Sequence, residues 1–277
     1  MSIHPVNSLT VDVEEWFHIC GLGREPEIAL DEWRVRINVV KLLSLLADHD
    51  IKATFFVLGC VADAVPGLVG QIAGAGHEIA SHGYSHRMVT ELDPHSFRDE
   101  LRLTRDILGH QSGQTVSGFR APRWSLSAAT PWTFDILKEE GYRYDSSLTP
   151  LPFIGNPAGS RVPYRLESAS GTLWEIPPMV TPSLFGNLPT GGGWGLRVFP
   201  RRLIRKTIRE LNRAGAPAVI FLHPRELDPS GPRLRLGPLK KFAAYGPKSD
   251  AKGILDDLLP RFRFVPLREM VDQWESA

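Results

Sequence analysis

The sequence predicts an α/β fold, a barrel of about seven mostly parallel strands, and three observations predict it. Short apolar, β-rich runs alternate with helix-patterned segments through the first two thirds of the chain. Chemically versatile residues sit at the ends of those runs: Asp12, His82, Arg120, Asp145 and His223. In α/β barrels and open sheets alike, sites form where the C-terminal ends of parallel strands meet their loops. The third observation is size: 277 residues at 42% hydrophobic content can bury a large core. About seven strand–helix units in that length suit a barrel better than an open sheet, although spacing alone does not separate the two.

The elements follow in order. "SLTVDV" reads as the first strand, and 31–50 as a helix whose Val39, Leu42, Leu43 and Leu46 share one face. "KATFFVLG" (52–59) is β-rich and closed by Gly59; 66–76 is helical with a glycine-containing stop. "HEIASH" (77–82) is a strand, 94–110 a helix and 115–120 extended. The segment 130–141 is a helix with a Thr N-cap, a Pro at its first turn and a Gly stop, and "YRYD" follows. Later come strands at 172–177, 218–223 and 262–266, with helices at 200–215, near 250–259 and at 267–274. The Pro-, Gly- and Ser-rich stretch 146–199 breaks the rhythm and reads as an insertion beside the active face, within one domain spanning 1–277.

Charge and cysteine usage narrow the function classes. Lys plus Arg is 32 and Asp plus Glu is 31, so no whole-surface attraction to nucleic acid or anionic membranes is expected. The basic helix "RRLIRKTIRELNR" reads as the solvated outer face of a barrel, with peripheral membrane contact as the alternative. Cys20 and Cys60 form no disulfide or zinc pattern, which suits a reducing, cytoplasmic location. No signal-peptide pattern and no apolar run near the roughly 20 residues of a membrane span is seen.

The chemistry starts at "TVDVEEWFH", where Asp12, Glu14 and Glu15 crowd the end of the first strand and call for a cation. "SHGYSH" places His82 and His86 four apart, a spacing that puts both imidazoles on one side of a helical turn. Two histidines and a carboxylate, with positions open to water, make up a catalytic metal site. Zinc suits those donors first, with Co2+, Ni2+ or Fe2+ as alternatives. Asp12 is the natural base, Arg120 its partner and His223 the acid for a leaving group. Asp145 would orient a histidine or tune Arg120, and the backbone N–H of Arg123 would face an oxyanion. His18, His77 and His95 are expected to be ordinary histidines.

"TVDVEEWFH", "ATFFVLG", "GHEIASHGYSH", "GFRAPRWS", "YRYDSS" and "FLHPRELD", in this order, resemble the polysaccharide deacetylases, the NodB-homology or carbohydrate esterase family 4 group. The likeness is nearest to the branch associated with bacterial exopolysaccharide synthesis, and 224–277 looks like that branch's C-terminal segment. The resemblance implies a deformed (β/α) barrel and a divalent metal, usually zinc. It also implies removal of acetyl groups from sugars. By position it makes His82 and His86 metal ligands, Asp12 the base and Arg120 the partner of that base. Asp145 matches the acid that orients the catalytic histidine, and His223 the general acid. The commoner pattern has a second aspartate directly after the base, where this chain has Val13. Residues i and i+2 of a strand share a face, so Glu14 is the expected carboxylate ligand, ahead of Glu15.

Other readings compete with this one. The same site can hydrolyse another C–N bond, such as a cyclic ureide or imide, and a non-catalytic carbohydrate-binding homologue is a third possibility. Trp124, Trp132, Trp174 and Trp194 are candidates to stack on sugar rings, with at least two of the four expected in the core; Trp124 and Trp194 are the substrate candidates. In "TGGGWG" the glycines would let backbone approach a ligand, with Arg197 available to an anionic group. Oligomeric state is not readable.

Overall fold

A computed structural model describes residues 6–19, 26–127, 130–246 and 251–276. The first half alternates strand and helix: β1 (Ser8–Val13), α1 (Val35–Asp48), β2 (Thr54–Val57), α2 (Gly59–Ala64), α3 (Leu68–Gly74), β3 (Glu78–Ser81), α4 (Pro94–Ser112), β4 (Gly118–Phe119), α5 (Trp132–Glu139) and β5 (Tyr144–Asp145). Three antiparallel pairs follow, β6 (Pro150–Leu151) with β7 (Ile154–Gly155), β8 (Tyr164–Ser168) with β9 (Gly171–Glu175), and β10 (Thr181–Ser183) with β11 (Gly186–Leu188). The chain closes with α6 (Trp194–Val198), α7 (Arg201–Arg213), β12 (Val219–Leu222), α8 (Pro238–Tyr245), α9 (Lys252–Leu258) and α10 (Leu267–Glu275).

One eight-stranded sheet runs β12-β1-β2-β3-β4-β5-β9-β8, parallel throughout except for the final β8–β9 pair. Seven parallel strands match the expected number. The two ends of that order, β12 and β8, do not pair with each other among the described residues, so the barrel is curled but not hydrogen-bonded shut. This is the deformation the family resemblance implied.

Both faces of the sheet are covered, which explains why β1 is buried at every position. Alternation then sorts its residues. Leu9, Val11 and Val13 face the helices, packing in one cluster with Val39, Leu42 and Leu46 of α1 and with Phe97, Leu101 and Leu108 of α4. Thr10 and Asp12 take the opposite, interior side. There Phe56, Ala80 and Tyr144 meet Val265, Leu267, Met270 and Val271, so α10 closes the N-terminal end of the barrel. Leu267 N–H donates to Thr54 Oγ1 at 2.8 Å and Arg268 N–H to Glu78 Oε2 at 3.0 Å. With that end plugged, the open end lies where the strands' C-terminal residues converge.

Candidate active site

β1 ends in a tight reversal, with Glu14 N–H donating to the Asp12 carbonyl at 3.0 Å. The turn keeps Asp12 and Glu14 on the interior side while Val13 packs among the helix-facing residues. Glu14 Oε1 lies 3.0 Å from His82 Nε2 and 3.0 Å from His86 Nε2, and all three side chains are buried. One donor atom from each lies within 4.8 Å of the other two, close enough for the three to hold one metal ion. The two histidines do not meet on a helical turn, as their spacing suggested. They belong to the loop after β3, which bends through Gly83 at φ 75° and His86 at φ 56°. Alternation along β1, carried through the turn, selects Glu14.

Glu15 points elsewhere. Its Oε1 accepts the backbone N–H groups of Arg34 and Val35, each at 2.7 Å, and its Oε2 accepts that of Trp16 at 3.0 Å. It therefore serves the N-terminus of α1, whose first amide groups have no partner within the helix, while burial leaves the Glu15 carboxyl above the ordinary value against those contacts.

The donor set fits a metal ion on chemical grounds. His82 Nδ1 lies 2.7 Å from the Arg120 carbonyl, a contact that needs Nδ1–H as donor. A neutral His82 then turns the lone pair of Nε2 towards the carboxylate oxygen of Glu14, 3.0 Å away. Two lone pairs at that distance repel unless a cation, a second proton or a metal, lies with them. The carbonyl contact is also the arrangement that fixes the tautomer of a metal-binding histidine. Burial alone would raise the Glu14 carboxyl, but His86, His223 and His82 outweigh it and hold it well below the usual carboxylate range.

Beside this cluster lie Asp12, Arg120 and His223. Arg120 is fully buried and donates through Nη1 to Asp12 Oδ1 at 2.7 Å and to Thr10 Oγ1 at 2.8 Å. Its Nε and Nη2 donate to the Ser146 carbonyl at 3.0 Å and to Ser146 Oγ at 2.8 Å. The guanidinium also lies over the rings of Phe56, at 4.2 Å, and Trp124, at 4.9 Å. Asp12 thus keeps a fixed counter-ion in a dry setting. His223 Nε2 faces the same place, 4.0 Å from Asp12 Oδ2 and 3.8 Å from Glu14 Oε2. Burial pushes the His223 imidazole down, but the Glu14 and Glu226 carboxylates outweigh it and leave it above its ordinary value.

The residue that orients His223 differs from the expectation. Glu226 Oε1 lies 3.1 Å from His223 Nδ1, on the short 3-10 turn Pro224–Leu227 that follows β12. Burial would raise Glu226, and contacts with His223, Arg197 and Arg225 lower it below its ordinary value. The i, i+3 spacing in "HPREL" was the available signal. Asp145 contacts no histidine among the described residues. It accepts from Ser147 Oγ at 2.5 Å and from Ser147 N–H at 3.2 Å, and Ser147 Oγ accepts Ala121 N–H at 2.8 Å. Asp145 therefore props the loop that begins at Arg120; burial raises the Asp145 carboxyl and the charge of Arg120 works against that, in line with the second role the sequence offered. Across β5 and β9 it stands in register with Glu175, and burial together with Asp145 pushes Glu175 well above the usual range.

A cavity of about 340 Å³ opens onto His223. Trp124 and Trp194 line it, together with Met179, Val180, Leu151 and Ile154. Trp124 packs 4.8 Å from Phe221, and both Arg123 and Trp124 have left-handed backbone, at φ 55° and 56°. Such strain is held where surrounding structure demands it. Trp132 packs on Phe97 and Trp174 on Trp274, away from the cavity. Arg197 lines the cavity wall, but its guanidinium donates to the carbonyls of Ala243 at 3.0 Å and Ala244 at 3.3 Å. Those two nitrogens tie α6 to the last turn of α8, while the buried Nε has no hydrogen-bond partner among the described residues. Two of the glycines of "TGGGWG" serve packing too. A Cβ on Gly192 would lie 2.2 Å from the Phe221 ring, and one on Gly191 would lie 2.3 Å from the Met179 carbonyl oxygen. Gly192 bridges to Phe221 in parallel fashion, extending the sheet beyond β12. His18, expected to be unrelated to the site, lines the cavity and stacks on His86 with ring centres 4.7 Å apart.

Comparison with known proteins gives a consistent picture. Residues 31–144 match the family model of polysaccharide deacetylases, and residues 146–272 match one described as a domain of unknown function, DUF3473. A peptidoglycan-N-acetylglucosamine deacetylase of Bacillus cereus is 37% identical over 82 residues, 30% of this chain and 30% of that protein. A peptidoglycan deacetylase of Helicobacter pylori is 28% identical over 137 residues, 48% of this chain and 46% of that protein. The chain thus matches under half the length of these curated relatives. Among solved structures, an allantoinase superposes with a TM-score of 0.66 at 20% identity, covering 100% of this chain and 93% of the other. At that identity the likeness shows the fold alone.

Proposed function

Because the chain belongs to the polysaccharide deacetylase (NodB-homology) family, we propose that this cleft removes acetyl groups from N-acetylated sugars. The substrate is a poly- or oligosaccharide, or its lipid-linked precursor, in exopolysaccharide or cell-envelope glycan synthesis. The observation that carries the reading is the convergence of the buried Glu14–His82–His86 cluster with Asp12–Arg120 and His223–Glu226. We read the chain as one catalytic domain in which 146–199 builds the cavity wall. A reducing, cytoplasmic location belongs to the same reading and rests on the cysteine count.

Glu14, His82 and His86 would hold a divalent ion, zinc first among candidates, and such an ion would supply Lewis-acid chemistry beside Asp12 and His223. Asp12 takes the proton of the water as its oxygen bonds to the carbonyl carbon. Arg120, 2.7 Å from Asp12 Oδ1, holds Asp12 in place. Arg123 N–H is our assignment for the second oxyanion contact. His223, held by Glu226, then gives its proton to the sugar nitrogen as the C–N bond breaks, leaving acetate and a free amine. Trp124 and Trp194 offer ring faces to the sugar. A complete acid–base set speaks against a purely carbohydrate-binding role, which needs none. The allantoinase likeness extends to the fold and carries no substrate. The test is a panel: acetate release from N-acetylglucosamine oligomers against hydrolysis of cyclic ureides and imides. Acetate release that disappears on chelation and returns with Zn2+ or Co2+ supports the reading. Ureide hydrolysis without acetate release overturns it.

A further inference from the structure

Large apolar side chains stand in water around the mouth of the cavity. Hairpin β10–β11 turns through Leu184 and Phe185, which are 99% and 95% exposed. Hairpin β6–β7 turns through Phe153 at 57%, and α8 presents Leu239 at 82%. These positions form one rim. Phe153 and Leu239 line the same cavity. Asn187 Nδ2 of β11 donates to the Pro150 carbonyl of β6 at 2.8 Å. Phe242 of α8 meets Trp194 with ring centres 6.2 Å apart.

Among the described residues nothing packs over Leu184 and Phe185, since both project from a two-stranded tip. Clustered exposed apolar surface of this kind marks an interaction site. The charge beside it selects the partner. From Pro229 to Gly246 the chain carries Arg233, Arg235, Lys240 and Lys241 and no Asp or Glu, and all four are exposed. A second copy of the chain meeting this rim about a two-fold axis would bring like charges together. An anionic lipid surface offers acyl chains to the apolar tips and phosphates to the cations.

We infer that this rim docks on an anionic bilayer, with Leu184 and Phe185 entering the headgroup layer and the cavity mouth turned towards the membrane. The basic helix α7 lacks such a tip. Its Ile204 and Ile208 are buried, and Arg205 pairs with Asp257 at 2.9 Å. The inference concerns where the protein sits, and it stands whether or not the cleft deacetylates sugars.

The full chain, sedimented with vesicles of phosphatidylcholine alone or mixed with phosphatidylglycerol, tests it. The expected result is partition onto the mixed vesicles that weakens as salt is added. Leu184→Ser with Phe185→Ser should weaken that partition by about tenfold or more, because two buried side chains are lost. The same variant should keep wild-type thermal melting and wild-type hydrolysis of soluble substrate. Arg235→Ser with Lys241→Ser probes the surface through charge alone and should remove much of the salt-sensitive part. Wild-type protein that stays in solution with both vesicles overturns the inference, as does an apolar-tip variant that sediments like wild type. Self-association that the tip variant abolishes, without vesicle binding, assigns the rim to a second copy and also overturns it.

Discussion

Replacing Glu226 by Gln tests the assignment of the histidine's partner. The perturbation removes a buried charge while keeping the size of the side chain. Two unit charges at the observed 3.1 Å attract by about 5 kcal/mol at an effective dielectric near 20. Arg225 and Arg197 lower Glu226 as well, so its charge is shared and the net loss is smaller. Partners that orient a catalytic or metal-binding histidine typically contribute about 10- to 100-fold, which is about 1.4 to 2.7 kcal/mol. The expected fall in kcat/KM for acetate release lies in that range. The pH profile carries the sign. His223 must be protonated to act as an acid, so activity falls as pH rises through its pKa. Glu226 helps to hold that pKa above the ordinary value. Removing its charge lowers the pKa, so the alkaline limb of kcat/KM moves to lower pH. Asp145→Asn is the contrasting arm. It should lower Tm, because the Ser147–Ala121 support is disturbed, and leave the alkaline limb in place. A Glu226→Gln enzyme with wild-type rate and profile, beside an Asp145→Asn enzyme whose limb moves, would refute this reasoning and restore Asp145 as the orienting acid.

Three further predictions can be checked on the same preparation. Asp12→Asn and His223→Ala should each reduce acetate release by about 10²- to 10⁴-fold, with metal content by mass spectrometry unchanged; near-normal rates in Asp12→Asn would remove it as the base. Glu14→Ala should lose the bound ion and activity together and resist rescue by added zinc, whereas Glu15→Ala should keep its metal. Glu15→Ala should instead lower stability by about 1 to 3 kcal/mol in denaturant titration, because the Arg34, Val35 and Trp16 amide groups lose their acceptor.

Much of the site was legible in the order of residues, for a simple physical reason. Strand alternation is local, so "VDVE" already places Asp12 and Glu14 together and sends Val13 to the helices. Strand ends also mark themselves, which is why His82, Arg120 and His223 could be named before their neighbours were known. The parallel strands and most helices follow from apolar periodicity, again a property of neighbouring residues. Within 146–199 that signal finds only β9, because the other strands are two to five residues long and, apart from β6, largely exposed.

What tertiary structure alone decided is where the acids and bases not sorted by alternation find their partners. Glu15 could have been a ligand by composition, and only the arrival of the α1 N-terminus gives it other donors. Asp145 and Glu226 are both acids near strand ends. Only the register of β5 with β9 ties Asp145 to Glu175, while the turn after β12 lays Glu226 against His223. Arg197 is tied to carbonyls of α8, and the glycines at 191 and 192 to Met179 and Phe221. By itself the sequence determined which chemistry was available and at which ends of which strands. Partner choice needed the fold, because it depends on distances of a few ångströms between residues far apart in the chain, and no local pattern encodes those.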